Sequence, residues 1–114
     1  MELRRQSAML NSPYMQMLNQ YSIAAAACEV LPQYDVKEAY LFGSYARNEA
    51  DGNSDVDLCV ECGKSFTLFS LGGIGIALEE ALGRPVDVIC GSDSFYPRAR
   101  QRYFEDRRLI YAKP

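Results

Sequence analysis

The chain has 114 residues, 48% of them hydrophobic, a formal net charge of -3 and no histidine. That length supports one compact core and is too short for a second domain of ordinary size, so residues 1–114 are read as a single domain. The negative net charge argues against a protein whose main work is neutralising nucleic-acid phosphates, and no direct nucleic-acid binding is expected.

In chain order, Ser12-Pro13 supplies a helix cap followed by proline at the first helical position, and the breaker-free run to Pro32 predicts a helix over about 13–31. VKEAYLF, residues 36–42, is short, bounded by turn signals and alternating, which predicts a buried strand ending at Gly43. SYARNEA has room for one or two helical turns, ADGNS is turn chemistry, and DVDLCVE reads as a second strand. Leu71, Ile74, Leu78 and Leu82 recur at helical spacing, and Gly83 closes that helix ahead of Pro85. PVDVIC is a third strand, a C-terminal basic helix follows over about 97–108, and LIY forms a short final strand. Helix, strand, strand, helix, strand, helix predicts an α/β (α+β) domain, a small mixed β-sheet flanked by helices, with its core over about 36–90.

Composition along the chain adds two expectations. MELRRQSAML lacks the apolar region of a signal peptide, and Ala24 to Ala27 is far short of a membrane span, so a cytoplasmic protein without membrane contact is expected. Four cysteines, at 28, 59, 62 and 90, without secretory context are expected as thiols. Up to residue 93 there are six Lys/Arg against thirteen Asp/Glu, whereas from Ser94 onward there are six against two, which makes the C-terminal segment the basic end.

The stretch LFGSYARNEADGNSDVDLCVE carries the chemistry. Side chains alternate across a strand, so Asp55 and Asp57 project from one face while Val56, Leu58 and Val60 occupy the other. Asp87 interrupts an otherwise apolar strand, and if that strand lies beside DVDLCVE all three carboxylates converge. Oxygen donors without histidine favour a hard cation, Mg2+ or Mn2+, over zinc. Gly43-Ser44 supplies a second half: glycine permits close backbone approach, and a helix opening at Ser44 aims free N–H groups and a hydroxyl at phosphate oxygens, with Arg47 one turn along.

Simpler readings compete at each position. Asp51, Asn53 and Asp55 match the first ligands of a calcium loop, but Val56 stands where that loop needs glycine and Cys62 where it needs glutamate. Arg47 could be an ion-pair partner of Asp51. Cys59 and Cys62 have the spacing of a redox or zinc half-site, yet no second pair lies nearby, which favours packing. Gly73-Ile-Gly75 lies inside a helical pattern and lacks the third glycine of a dinucleotide site, so close helix packing is the expectation. Arg98, Arg100 and Arg102 read as a solvated helix face, with Arg102 paired to Glu105 or Asp106, or as contacts for nucleotide or an acidic partner surface.

Gly43-Ser44, ten residues, then Asp55-x-Asp57, with Asp87 on a later strand, resembles the nucleotidyltransferase fold typified by DNA polymerase beta, and especially the minimal nucleotidyltransferase (MNT) family. The resemblance covers residues 36–62 and 84–90. It implies that Gly43 and Ser44 hold a triphosphate, that Asp55 and Asp57 bind metal, and that Asp87 is the third acid of the metal site and helps activate an acceptor hydroxyl. Asn48 stands where many relatives have glycine, and asparagine tolerates left-handed dihedrals. The implied activity is metal-dependent transfer of AMP from ATP to a hydroxyl. The implied acceptor is a tyrosine of a HEPN toxin, in a hetero-oligomeric complex where this chain is the antitoxin. Neutralisation by binding alone, and transfer to a small-molecule antibiotic, are the alternatives.

Overall fold

The computed structural model describes residues 18–114. Helix α1 (Gln20–Val30) opens on Asn19, whose side chain accepts from the Ser22 amide while the Ser22 hydroxyl takes up the Asn19 amide, a reciprocal cap. Asn19 is extended, at φ -143°, so the helix expected over about 13–31 starts instead at Gln20. A side-chain cap satisfied at Asn19 competes with continuing the helix through it. The Ser12-Pro13 signal lies outside the described residues.

After a 3-10 turn (Leu31–Gln33), strand β1 (Val36–Phe42) leads into a single helical turn, α2 (Gly43–Ala46). Strand β2 (Val56–Cys62), helix α3 (Leu68–Leu82) and strand β3 (Val86–Cys90) follow. Gly83 ends α3 in the left-handed conformation, φ 69°, as a C-terminal glycine should. A second 3-10 turn (Ser92–Ser94), helix α4 (Pro97–Asp106) and strand β4 (Arg108–Ala112) complete the fold.

The sheet order is β3-β2-β1-β4, with β2 and β3 parallel and the other two pairs antiparallel, so the expected small mixed sheet flanked by helices is what forms. The parallel pair needs a crossover, and α3 supplies it. Ala39, Leu41, Leu58, Val60 and Val86 join Ile23, Ala27, Ile74 and Leu78 in one buried cluster, which places α1 and α3 over one sheet face. Each large aliphatic side chain buried there contributes about 1.5–3 kcal/mol, the main driving force for this layer. Gly73 lies close against Tyr34, since a Cβ there would sit 2.7 Å from the Tyr34 hydroxyl, while Gly72 and Gly75 face open space. The close approach expected of the Gly73-Ile-Gly75 pair is therefore found at Gly73 alone, and against a tyrosine side chain rather than a neighbouring helix.

The other sheet face carries Phe42, Tyr40, Asp57 and Asp87 and is only partly covered, by α4. Tyr103 of α4 is buried, its ring edge-on to Phe42 at 5.4 Å and to Tyr40 at 6.4 Å, and stacked on Phe95 at 4.8 Å. The Arg107 guanidinium lies 4.0 Å from the Tyr40 ring centre and clamps the end of α4 onto β1. Tyr111 is core, and Phe104 and Tyr96 are exposed, so the aromatic residues of this segment divide between core and rim.

Two cysteine expectations separate. Cys59 is fully buried and free, as a packing residue should be, and Cys28 is free and exposed. Cys62 and Cys90 are placed in disulfide contact, Cα atoms 6.6 Å apart, which corrects the expectation of four thiols. Their closeness comes from the parallel β2–β3 register and leaves no trace in a sequence separation of 28 residues.

Candidate active site

The site forms where β1, β2 and β3 end. Phe42 is the register partner of Asp57, and Asp57 is the register partner of Asp87, so the two carboxylates stand side by side on the open face. Asp55 is exposed just ahead of β2 rather than within it. Its position is pinned by the Val56 amide, which donates to the Pro85 carbonyl at 3.0 Å, and by Arg84, which donates to the Ser54 carbonyl at 2.9 Å.

Gly43 is required here for two reasons. Its φ is +74°, and a Cβ built on it would run into the Asp57 carboxylate. The glycine thus lets the start of α2 close directly over that carboxyl group, with Ser44 next in line and part-exposed. Asn48 adopts φ 58°, the left-handed conformation that asparagine tolerates. Gln20 of α1 reaches across the fold and donates to the Tyr45 and Ala46 carbonyls at 3.3 and 3.2 Å, holding the far end of α2. A contact spanning some 25 residues left no local signal for sequence reading to use.

Electrostatically the site is overloaded with negative charge. Burial first, then Asp87, then Asp55, push the Asp57 carboxyl up from 3.8 to about 6, while the Arg47 guanidinium pulls the other way. Among the described residues no three acidic or cysteine side chains are already gathered as a metal cage. The arrangement is instead an open one, in which oxygen ligands from a substrate could complete the shell of a hard cation.

Arg47 does not pair with Asp51. Its Nε lies 3.1 Å from Glu49 and its Nη1 3.6 Å from Asp106. Asp51 instead accepts from the Asn53 amide at 2.8 Å and from the Ser54 hydroxyl at 3.3 Å, which makes DGNS a side-chain-stabilised turn rather than a calcium loop. Of the two partners expected for Arg102, Asp106 is the one used, at 3.6 Å. Arg100 is spent on the carbonyls of Ser92, Asp93 and Phe95, so it ties down the turn before α4 and is not a free cation. Arg98 remains exposed and lines a surface hollow with Arg47 and Arg102. The contact of Asp106 with Arg47 joins α4 to the end of α2 and, being tertiary, leaves no local signal in the sequence.

Comparison with known proteins agrees with this geometry. Residues 23–112 match the family model of the nucleotidyltransferase domain. A Methanocaldococcus jannaschii protein provisionally named a protein adenylyltransferase, MJ0435, is 40% identical over 77 residues, covering 68% of this chain and 82% of its own. MJ0126 of the same organism, with the same provisional name, is 34% identical over 83 residues, covering 73% and 83%. A solved structure provisionally described as a minimal nucleotidyltransferase superposes with a TM-score of 0.62 at 29% identity, covering 80% of this chain and 95% of its own. The fold is shared with a chain of a toxin–antitoxin crystal structure containing AMP-PNP (TM-score 0.64, 23% identity, 84% and 75% covered). It is shared also with a chain of the Shewanella oneidensis complex of a tri-AMPylated HEPN toxin and its MNT antitoxin (TM-score 0.57, 22% identity, 87% and 74% covered). With the sheet, the glycine turn and the paired strand-end aspartates in place, the chain belongs to the nucleotidyltransferase domain family, as a member of its minimal, MNT-type branch.

Proposed function

We propose that this nucleotidyltransferase moves AMP from ATP onto a tyrosine hydroxyl of a HEPN-type toxin, and that it acts in this way as the toxin's antitoxin. The observation that carries the reading is the Asp57–Asp87 register pair on the open sheet face, with Gly43 closed down on the Asp57 carboxylate. The provisional names of the adenylyltransferase relatives and the AMPylated toxin in a structural neighbour supply the acceptor class.

Asp55 and Asp57 are the residues that would hold Mg2+ or Mn2+, with Asp87 as the third acid. The fit rests on charge: burial first, and then the neighbouring Asp87 and Asp55 carboxylates, raise the Asp57 pKa, and a divalent cation would offset that cost of ionising Asp57. Bound there, such an ion would neutralise the triphosphate and stabilise the attacking and leaving oxygens. The Gly43–Ser44 amides and the Ser44 hydroxyl cradle phosphate oxygens. Asp87 orients the acceptor tyrosine and takes its proton as the phenolic oxygen attacks the α-phosphorus. The bond from the α-phosphorus to the bridging oxygen then breaks and pyrophosphate leaves. Positioning supplies much of the rate in this chemistry, and the partner protein supplies the acceptor.

The test is mass spectrometry of the co-purified HEPN partner after incubation with this protein, ATP and Mg2+. Whole AMP increments on a tyrosine, absent with Asp57→Asn, are the expected result. Tight partner binding with no added mass, while ATP is demonstrably bound, would transfer the case to neutralisation by occlusion.

A further inference from the structure

Between α2 and α4 lie two adjoining hollows that share three side chains, Arg47, Arg102 and Asp106. One, of about 350 Å3, continues outward along α4 past Arg98. The other, of about 270 Å3, has Phe42, Gly43 and Phe95 among its walls and so begins at the glycine that covers the Asp57 carboxylate. Together they form an open surface passage that runs from beside Gly43, past Arg47, Arg102 and Asp106, and outward along α4.

The two arginines share one carboxylate, Asp106, while the Arg47 Nε is also held by the exposed Glu49 at 3.1 Å. The Asp106 carboxylate lies 3.6 Å from Arg47 Nη1 and 3.6 Å from Arg102 Nε, on two different elements. Both distances exceed a charge-assisted hydrogen bond, which runs about 2.7–2.9 Å. Asp106 is largely covered, at 26% exposure, whereas Arg102 is 69% exposed. A carboxylate held loosely between two guanidinium groups sits where a phosphate oxygen would sit, and guanidinium groups match phosphate geometry well. The Arg47 charge also reaches Asp57, so the passage and the carboxylate site share one electrostatic field.

We propose that Arg47 and Arg102 form a clamp for the terminal phosphates of the nucleotide, and that Asp106 is a resident competitor which holds the clamp in shape and is displaced when the polyphosphate enters. The inference rests on the nucleotidyl-transfer reading and adds a binding residue, Arg102, and a positioning residue, Asp106. The cost of displacing Asp106 tunes affinity: the site binds a triply charged tail well and a weaker anion poorly.

The test is calorimetric titration of the full chain, with Mg2+ present, by inorganic tripolyphosphate and by ATP. Asp106→Asn should tighten both roughly three- to fivefold, and Arg102→Ala should weaken both by a similar factor, the size expected of exposed charge pairs. In the Arg102→Ala background Asp106→Asn should give little further gain, because the competitor then guards half a clamp. Arg102→Lys keeps the charge without the planar fork and should fall between. Unchanged or weaker binding in Asp106→Asn with an unaltered melting curve overturns the proposal, as does a gain that persists undiminished without Arg102. If the unmodified protein binds ATP and modifies its partner while these variants behave alike, only the clamp fails. If the unmodified protein binds neither ligand, the transfer reading fails with it.

Discussion

Asp57→Asn in metal-free protein tests the electrostatics of the site directly. The Asp57 carboxyl is raised from 3.8 to about 6, by burial first and then by Asp87 and Asp55. At about 1.36 kcal/mol per unit this sets a ceiling of about 3 kcal/mol for the cost of keeping the group ionised. The carboxyl is only about half buried, so solvent screening reduces that to about 1–2 kcal/mol. The folded state holds this proton more tightly than the unfolded chain. The cost is therefore absent below about pH 4, grows as pH rises from about 4 to about 6, and is complete above that. Asparagine is nearly isosteric and neutral, and the variant should melt about 4–8 °C above the parent at pH 7.5, at about 4 °C per kcal/mol for a domain of this size. Near pH 4 the two melting curves should converge. With Mg2+ and ATP the order reverses, since only the parent gains from ligand binding. The measurement is a series of thermal melts by circular dichroism in chelator across that pH range. A variant less stable than the parent at neutral pH, or an offset independent of pH, would refute the reasoning.

Gly43→Ala places a methyl group against the Asp57 carboxylate at a positive φ, and should lower stability by about 1–3 kcal/mol while abolishing AMP transfer, read by melting and by partner mass. Asp87→Asn removes the largest charge acting on Asp57, so the Asp57 carboxyl resonance in metal-free protein should titrate at lower pH than in the parent, with transfer lost. Arg100→Ala frees three carbonyls of the turn before α4 and should destabilise the fold by about 1–2 kcal/mol in denaturant titration, with ATP affinity little changed. Cys62→Ser breaks the Cys62–Cys90 contact and should leave transfer nearly intact; stoichiometric zinc in the parent, lost in this variant, would contradict a purely structural role for Cys62.

Much of the fold is legible locally because its signals act over a few residues. The bounds of β1 at Val36 and Phe42 follow from alternation between turn residues, the end of α3 from Gly83, and the start of α4 from Pro97. The chemistry of the site is legible for the same reason: Gly43-Ser44 and Asp55-x-Asp57 lie within one turn-and-strand unit, and residue type alone restricts what such a unit can do. What tertiary structure decided is everything that depends on register and on reach across the fold. Whether Asp87 joins Asp57 is settled by the parallel pairing that α3 imposes on β2 and β3, and the same pairing brings Cys62 to Cys90. Arg47, Arg100 and Arg102 are indistinguishable as letters, yet one faces the site, one is consumed by a turn and one shares Asp106 with the first. Side-chain partners of that kind are chosen by the packing angle of α4 on the sheet, through Tyr103, Phe42 and Arg107, and a packing angle is a property of the assembled layers rather than of any segment within them.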